Sequence, residues 1–157
     1  MANNYQLFST GIKNITPGEA AWIETFLGEE PNTENPKLFE AWCDARGVSD
    51  EDDAASYPDF EWSVSKKDAF LWMYSEEWGN LVHLAVFVQT FLQTFRPNDT
   101  FGMTYCEYCS KPRIDEFGGG WVAISAQKIQ WGDTYSAVAQ DERELHDDLN
   151  PKTSQGT

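Results

Sequence analysis

The chain has 157 residues, with 26 Asp and Glu against 11 Lys and Arg and a formal net charge of −15. That balance excludes direct binding of nucleic acid, which needs clustered cations against phosphate, and it repels anionic lipid while steering basic partners inward. Aromatic residues make up 15% of the chain, enough apolar surface to exclude disorder of the whole. A chain of this length forms one domain and buries roughly two-thirds of its unfolded surface without metal or disulfide staples.

The spacing divides residues 1–149 into a helical N-terminal part (1–57), a hairpin–helix–hairpin unit (58–132) and a C-terminal helix (133–149), with 150–157 a disordered tail. Thr16-Pro17-Gly18-Glu19 opens the first helix as a capping box with proline at the first position. Trp22, Ile23, Phe26 and Leu27 form its apolar stripe, and Gly28 ends it. A linker rich in Pro, Asn and Glu follows, then a second helix from about Lys37 to Arg46 with Leu38, Phe39 and Trp42 inward and Gly47 as its stop. Asp50-Glu51-Asp52-Asp53 reads as a solvated loop.

Beyond it the period changes to two. Phe60, Trp62 and Val64 make one strand, and Phe70 to Tyr74 makes its hairpin partner. Asn80 caps the longest helix, Leu81 to Phe95, whose stripe runs through Leu84, Ala85, Val88, Phe91, Leu92 and Phe95, with Gln89 and Gln93 off that face. His83 falls on the polar side and reads as a surface residue. A second hairpin pairs Phe101–Cys106 with Trp121–Ala126, Lys128–Trp131 adds a short strand, and Asp133 caps the last helix. The expected fold is α+β: a mainly antiparallel sheet of four or five strands, built from two hairpins around a central helix, with helices on one face.

Candidate chemistry is sparse. Cys106 and Cys109 form a C-x-x-C at a strand end, without the second ligand pair of a zinc site or the helix N-terminus of a redox site, so they read as packing residues. Residues 110–120 are too long for a tight turn, and long loops are often functional. In this stretch Lys111 and Arg113 lie near Gly118, Gly119 and Gly120, a set that offers either an anion site or cations paired to neighbouring carboxylates. Glu76 and Glu77 are adjacent carboxylates before the central helix, and with Asp50, Glu51, Asp52 and Asp53 they are candidate partner-binding acids. His146 lies inside the acidic run 141–148 and makes a poor general base there. An exposed aromatic among Trp22, Trp42 and Trp78 would mark an interface.

Three stretches together resemble a group of uncharacterised small acidic proteins from bacteria, phages and plasmids. They are Tyr74-Ser75-Glu76-Glu77, Phe95-Arg96-Pro97, and Cys109-Ser110-Lys111-Pro112-Arg113 with Glu116-Phe117-Gly118-Gly119-Gly120. The resemblance spans about residues 58–132 and implies action on host or competitor machinery; it carries no catalytic residue over.

The expected function is therefore a non-enzymatic binding or inhibitor protein of the counter-defence type, anti-CRISPR or anti-restriction. It would block a basic partner such as a nuclease or another nucleic-acid-binding protein. It has no cofactor, no contact with nucleic acid or membrane, and a cytoplasmic location, because three cysteines make no disulfide framework and the N-terminus has no signal-peptide pattern. Two alternatives stand beside it: a small-ligand or enzymatic module built on the 110–120 loop, and an immunity protein that neutralises a toxin.

Overall fold

Chain order in the computed structural model, which describes residues 2–151, begins with two strands. These are β1 (Asn4–Leu7) and β2 (Ser9–Lys13), followed by helices α1 (Pro17–Gly28), α2 (Pro36–Arg46) and α3 (Glu51–Ser56). The hairpin β3 (Glu61–Ser65) and β4 (Phe70–Tyr74) leads into α4 (Leu81–Phe95). Then come β5 (Thr100–Cys109), β6 (Gly118–Ser125), β7 (Ile129–Asp133) and α5 (Thr134–Leu149). The fold class is α+β with antiparallel pairing, as expected. The strands form two sheets rather than one, in the orders β1-β5-β6-β7 and β2-β4-β3.

The N-terminal 57 residues are therefore not purely helical. β1 pairs with β5, β2 pairs with β4, and the chain changes sheet at Phe8 between them. Ser75 locks this corner: its amide donates to the Phe8 carbonyl (3.0 Å), and its hydroxyl donates to the Gln6 carbonyl (2.7 Å) and accepts from the Phe8 amide (3.2 Å).

Helix ends follow local chemistry. Thr16 and Glu19 complete the capping box of α1, Asn35 caps α2, Asn80 caps α4, and Asp133 caps α5. Gly47 closes α2 in the left-handed region (φ 68°), a conformation that costs a glycine little.

One core cluster joins α4 to both sheets. Leu84, Ala85, Phe87, Val88 and Phe91 have no exposed surface and sit with Phe8, Ile12, Leu71 and Met73 of the three-stranded side. Met103, Val122 and Ile124 close it from the four-stranded sheet. α1 covers the same helix through Trp22 and Phe26, whose rings meet Phe87 at 6.0 and 5.9 Å. Gln89 and Gln93, off the stripe, tie α4 to the end of β6 by donating to the Ser125 and Ala126 carbonyls at 3.2 and 2.8 Å.

Two features depart from the sequence reading. Residues 50–53 are not a solvated loop: Asp50 caps the short helix α3, accepting from the Asp53 amide at 2.8 Å. His83 is not a surface residue; it is fully buried. α2 packs on α4 and Asp53 of α3 reaches His83, while Trp42, Cys43, Val48 and Ala54 form a second small core.

Candidate functional site

Buried polar groups in this fold serve chiefly as clasps. His83 Nδ1 accepts the Asp59 amide (3.1 Å), which leaves Nε2 to donate to Asp53 Oδ1 (2.7 Å). The pattern fixes the tautomer and joins α3, the β3 entry and α4. Burial alone would raise the Asp53 carboxyl, but the Ser49 amide and the His83 ring outweigh it and hold the group below the usual carboxylate range. Arg46 is buried against the Phe26 and Trp42 rings at 4.3 and 4.6 Å and donates to the Phe26 and Trp42 carbonyls and to Glu29. Arg96 grips Glu19 through two nitrogens (3.0 and 3.1 Å) and reaches the Lys13 and Asn14 carbonyls. These groups have structural partners throughout and present no reactive atom to a cleft.

The sequence candidates separate in space. Gly118, Gly119 and Gly120 belong to β6 and pair with Glu107, Cys106 and Tyr105 of β5. The Gly119 amide donates to Thr134 Oγ1 (3.1 Å). Their lack of side chains makes room rather than a cradle: a Cβ on Gly119 would lie 2.3 Å from the Tyr105 carbonyl oxygen, and one on Gly120 2.4 Å from that of Gly132. Arg113 stands 4.0 Å from Glu116, while Lys111 is exposed. Ser110 anchors the loop start to Asn3, its hydroxyl accepting the Asn3 amide at 2.8 Å. Cys106 and Cys109 sit three residues apart on β5, so they point to opposite faces, the first exposed and the second buried. They do not share a site. Of the acidic run, Asp53 is turned inward to His83, whereas Glu51 and Asp52 are exposed.

A groove of about 750 Å³ runs between the end of the 110–117 loop and α5, lined by Asp115, Phe117, Tyr135, Val138, Glu142, Arg143 and His146 among others. Lys111 and Arg113 do not line it, and its charges are of both signs.

The pieces that do converge meet at Trp78, whose surface is 60% exposed. The loop that presents it is tied at both flanks. The Glu77 carbonyl accepts the Gln6 amide at 2.8 Å, and the Asn80 amide donates to the Asp59 carbonyl at 2.6 Å. Gly79 packs so closely on Phe8 that a Cβ would lie 2.6 Å from the ring. Three concavities share this indole. The first, about 340 Å³, is lined by Asp59, Glu61, Glu76 and Glu77 with Pro58 and Phe60. The second, about 220 Å³, is lined by Glu107, Asp115, Glu116 and Tyr135 with Asn4, Tyr5 and Tyr108. The third, about 460 Å³, is lined by Gln6, Gly79, Asn80, Leu81, Val82 and Trp131.

Among the described residues no lysine or arginine lines any of the three. Arg113 reaches the rim only through Glu116. Beside the face, burial first and then the Glu107 and Asp133 carboxylates push the Tyr105 hydroxyl above its ordinary value. Trp131 and Val82, 48% and 50% exposed, extend the apolar part of the face.

The sequence marked Glu76, Glu77 and Trp78 separately. It did not bring Asp59, Glu61, Glu107, Asp115 and Glu116 together with them, because these carboxylates come from segments distant in the chain. The one local signal was an exposed tryptophan directly after two glutamates.

Among the described residues no group of His, Cys, Asp and Glu stands close enough to hold a metal ion, and no helix is long and apolar enough to cross a membrane. No protein-family model, no curated protein and no solved structure matches the chain.

Proposed function

We propose that this chain is a non-enzymatic acidic binding protein that occupies the nucleic-acid-binding surface of a basic partner. The observation that carries the reading is the Trp78 face: two concavities rich in carboxylates and a third, largely apolar one adjoin there, with no lysine or arginine among the described residues that line them and with exposed indoles at their centre and edge. Carboxylates held in a fixed array stand where the partner's cations expect phosphates. Aromatic residues supply the desolvated anchors that typically dominate protein interfaces. Long-range attraction from the net charge of −15 accelerates encounter and makes it sensitive to salt.

The resemblance to proteins of phages and plasmids supports a counter-defence role within this reading, with a nuclease or another nucleic-acid-binding protein of the host as target. A cytoplasmic site of action follows from such a target.

The test is affinity capture from host lysate at low and high salt, with Glu76→Lys/Glu77→Lys as the matched control. The expected result is a basic nucleic-acid-binding protein held at low salt, released at high salt and not held by the charge-reversed variant. Capture that is indifferent to salt and to charge reversal would overturn the proposal.

A further inference from the structure

The second of the three concavities has the makings of a receptor for one defined group. Its floor is Glu107, on the inner face of the four-stranded sheet, opposite Gln6 of β1 and Gly118 of β6 in register. Gln6 is itself buried and donates from Nε2 to Glu107 Oε1 at 3.1 Å, so the carboxylate is held in place. Tyr135 stands on one side. Its ring lies over Gly118, where a Cβ would come within 2.8 Å of it, and its hydroxyl donates to the Phe117 carbonyl. Trp78 also lines the cleft, on the loop whose backbone is tied to β1 and to Asp59.

Asp115 and Glu116 complete the lining. Glu116 Oε2 is shielded from solvent and has no hydrogen-bond partner among the described residues. Its other oxygen stands 4.0 Å from Arg113, and the side chain as a whole is partly exposed. A carboxylate oxygen without a donor is costly, and rotation of this side chain into the cleft would let an incoming donor relieve that cost.

Four aromatic residues, Tyr5, Trp78, Tyr108 and Tyr135, and three carboxylates around about 220 Å³ suit a cation with flat faces and several N–H donors. A guanidinium meets both demands: it stacks on aromatic rings and pairs with carboxylates through two parallel hydrogen bonds. An ammonium is a compact, strongly hydrated charge and uses the planar walls less well. We propose that this cleft receives an arginine side chain of the partner, its guanidinium set against the Trp78 and Tyr135 rings and paired with Glu107 and Glu116. The inference rests on the basic-partner reading for its biological source, and on the cleft alone for its chemistry.

The experiment uses the full chain labelled with ¹⁵N and two probes of the same shape, Nα-acetyl-arginine amide and its uncharged counterpart Nα-acetyl-citrulline amide. The expected result is a saturable shift of the Trp78 indole N–H and of the Glu107, Gly118 and Tyr135 amides with the arginine probe. Binding of the citrulline probe should be roughly tenfold weaker, the loss expected when charged hydrogen bonds are removed. Glu107→Gln should weaken the arginine probe by about the same factor. Trp78→Phe should retain more of the binding than Trp78→Ala, and a circular-dichroism spectrum and melting curve of each variant check its fold.

Equal responses to the two probes, or an arginine response that Glu107→Gln leaves unchanged, overturn the cleft. The two readings fail separately. A partner captured equally by wild type and by Trp78→Ala/Glu107→Gln sinks the arginine receptor and leaves the acidic face. Arginine-probe binding with no salt-sensitive partner in lysate keeps the cleft and sinks the proposed function.

Discussion

Replacing His83 by leucine removes two hydrogen bonds from a site with no exposed surface while keeping most of the packing volume. The Asp59 amide loses its acceptor, the ring nitrogen 3.1 Å away, at a cost of about 1–3 kcal/mol for a donor left unpaired. Asp53 loses its 2.7 Å bond, but its side chain is 21% exposed, so water replaces part of the contact and about 1 kcal/mol is lost. Leucine returns up to about 1 kcal/mol by burying apolar atoms where the imidazole stood. The net expectation is a destabilisation of about 2 kcal/mol, or a fall in Tm of about 4–8 °C for a chain of this size. Urea unfolding followed by tryptophan fluorescence measures it, with the midpoint lowered and the slope unchanged. A leucine variant as stable as wild type, or more so, would refute the clasp and return His83 to the role of a replaceable packing residue.

Other expectations follow from the same contacts. The Glu19 carboxyl is pushed up by burial but brought lower overall by Arg96 and the Thr16 amide, so its contribution is present above the unfolded carboxylate range and lost as pH falls through its lowered value. The stability gap between wild type and Glu19→Gln, read by urea unfolding at several pH values, should therefore narrow as pH falls through and below the ordinary glutamate range. Arg46→Met keeps much of the contact with the Phe26 and Trp42 rings but takes the guanidinium donors from the Phe26 carbonyl and from Glu29, while the Trp42 carbonyl keeps its helical amide partner; a loss of about 1–3 kcal/mol in urea unfolding is expected. Gly119→Ala drives a methyl group into the Tyr105 backbone and should cost about 1–3 kcal/mol or more by forcing β6 from β5, seen as a lowered Tm. Lys111→Ala/Arg113→Ala removes two exposed cations from a chain of net charge −15; partner capture should be retained or strengthened, and a loss of capture would move the interface to the 110–117 loop.

What the sequence made legible was local. Caps at Thr16, Asn80 and Asp133 and the stop at Gly47 are decided by neighbours three or four residues away, and each stands where the spacing put it. β1 and β2 left no alternation to read. Their inward side carries Gln6, Phe8 and Ile12, polar and apolar together, while Tyr5 and Leu7 lie on alternate positions, and the chain changes sheets midway. In β4 every residue is apolar, so period two could not tell the buried Leu71 and Met73 from the exposed Trp72. His83 was misplaced because a helix with one broad stripe implies one covered face, whereas α2 packs on α4 as well and Asp53 of α3 reaches His83. The triple glycine suggested ligand approach; its close approach is to the backbones of β5 and β7. The acidic face was legible only as charge, since its carboxylates converge through tertiary contacts between β3, the 75–80 loop, β5 and the 110–117 loop.

If the Trp78 face stands in for nucleic acid on a basic partner, the two must compete for one surface. The partner captured at low salt is loaded with labelled nucleic acid, and this protein is titrated in while fluorescence anisotropy reports release. Full displacement is expected from wild type and none from Glu76→Lys/Glu77→Lys, both measured at the same low salt, because salt weakens the nucleic-acid complex as well as the protein pair. A ternary complex of partner, nucleic acid and this protein, or equal displacement by the charge-reversed variant, would contradict it.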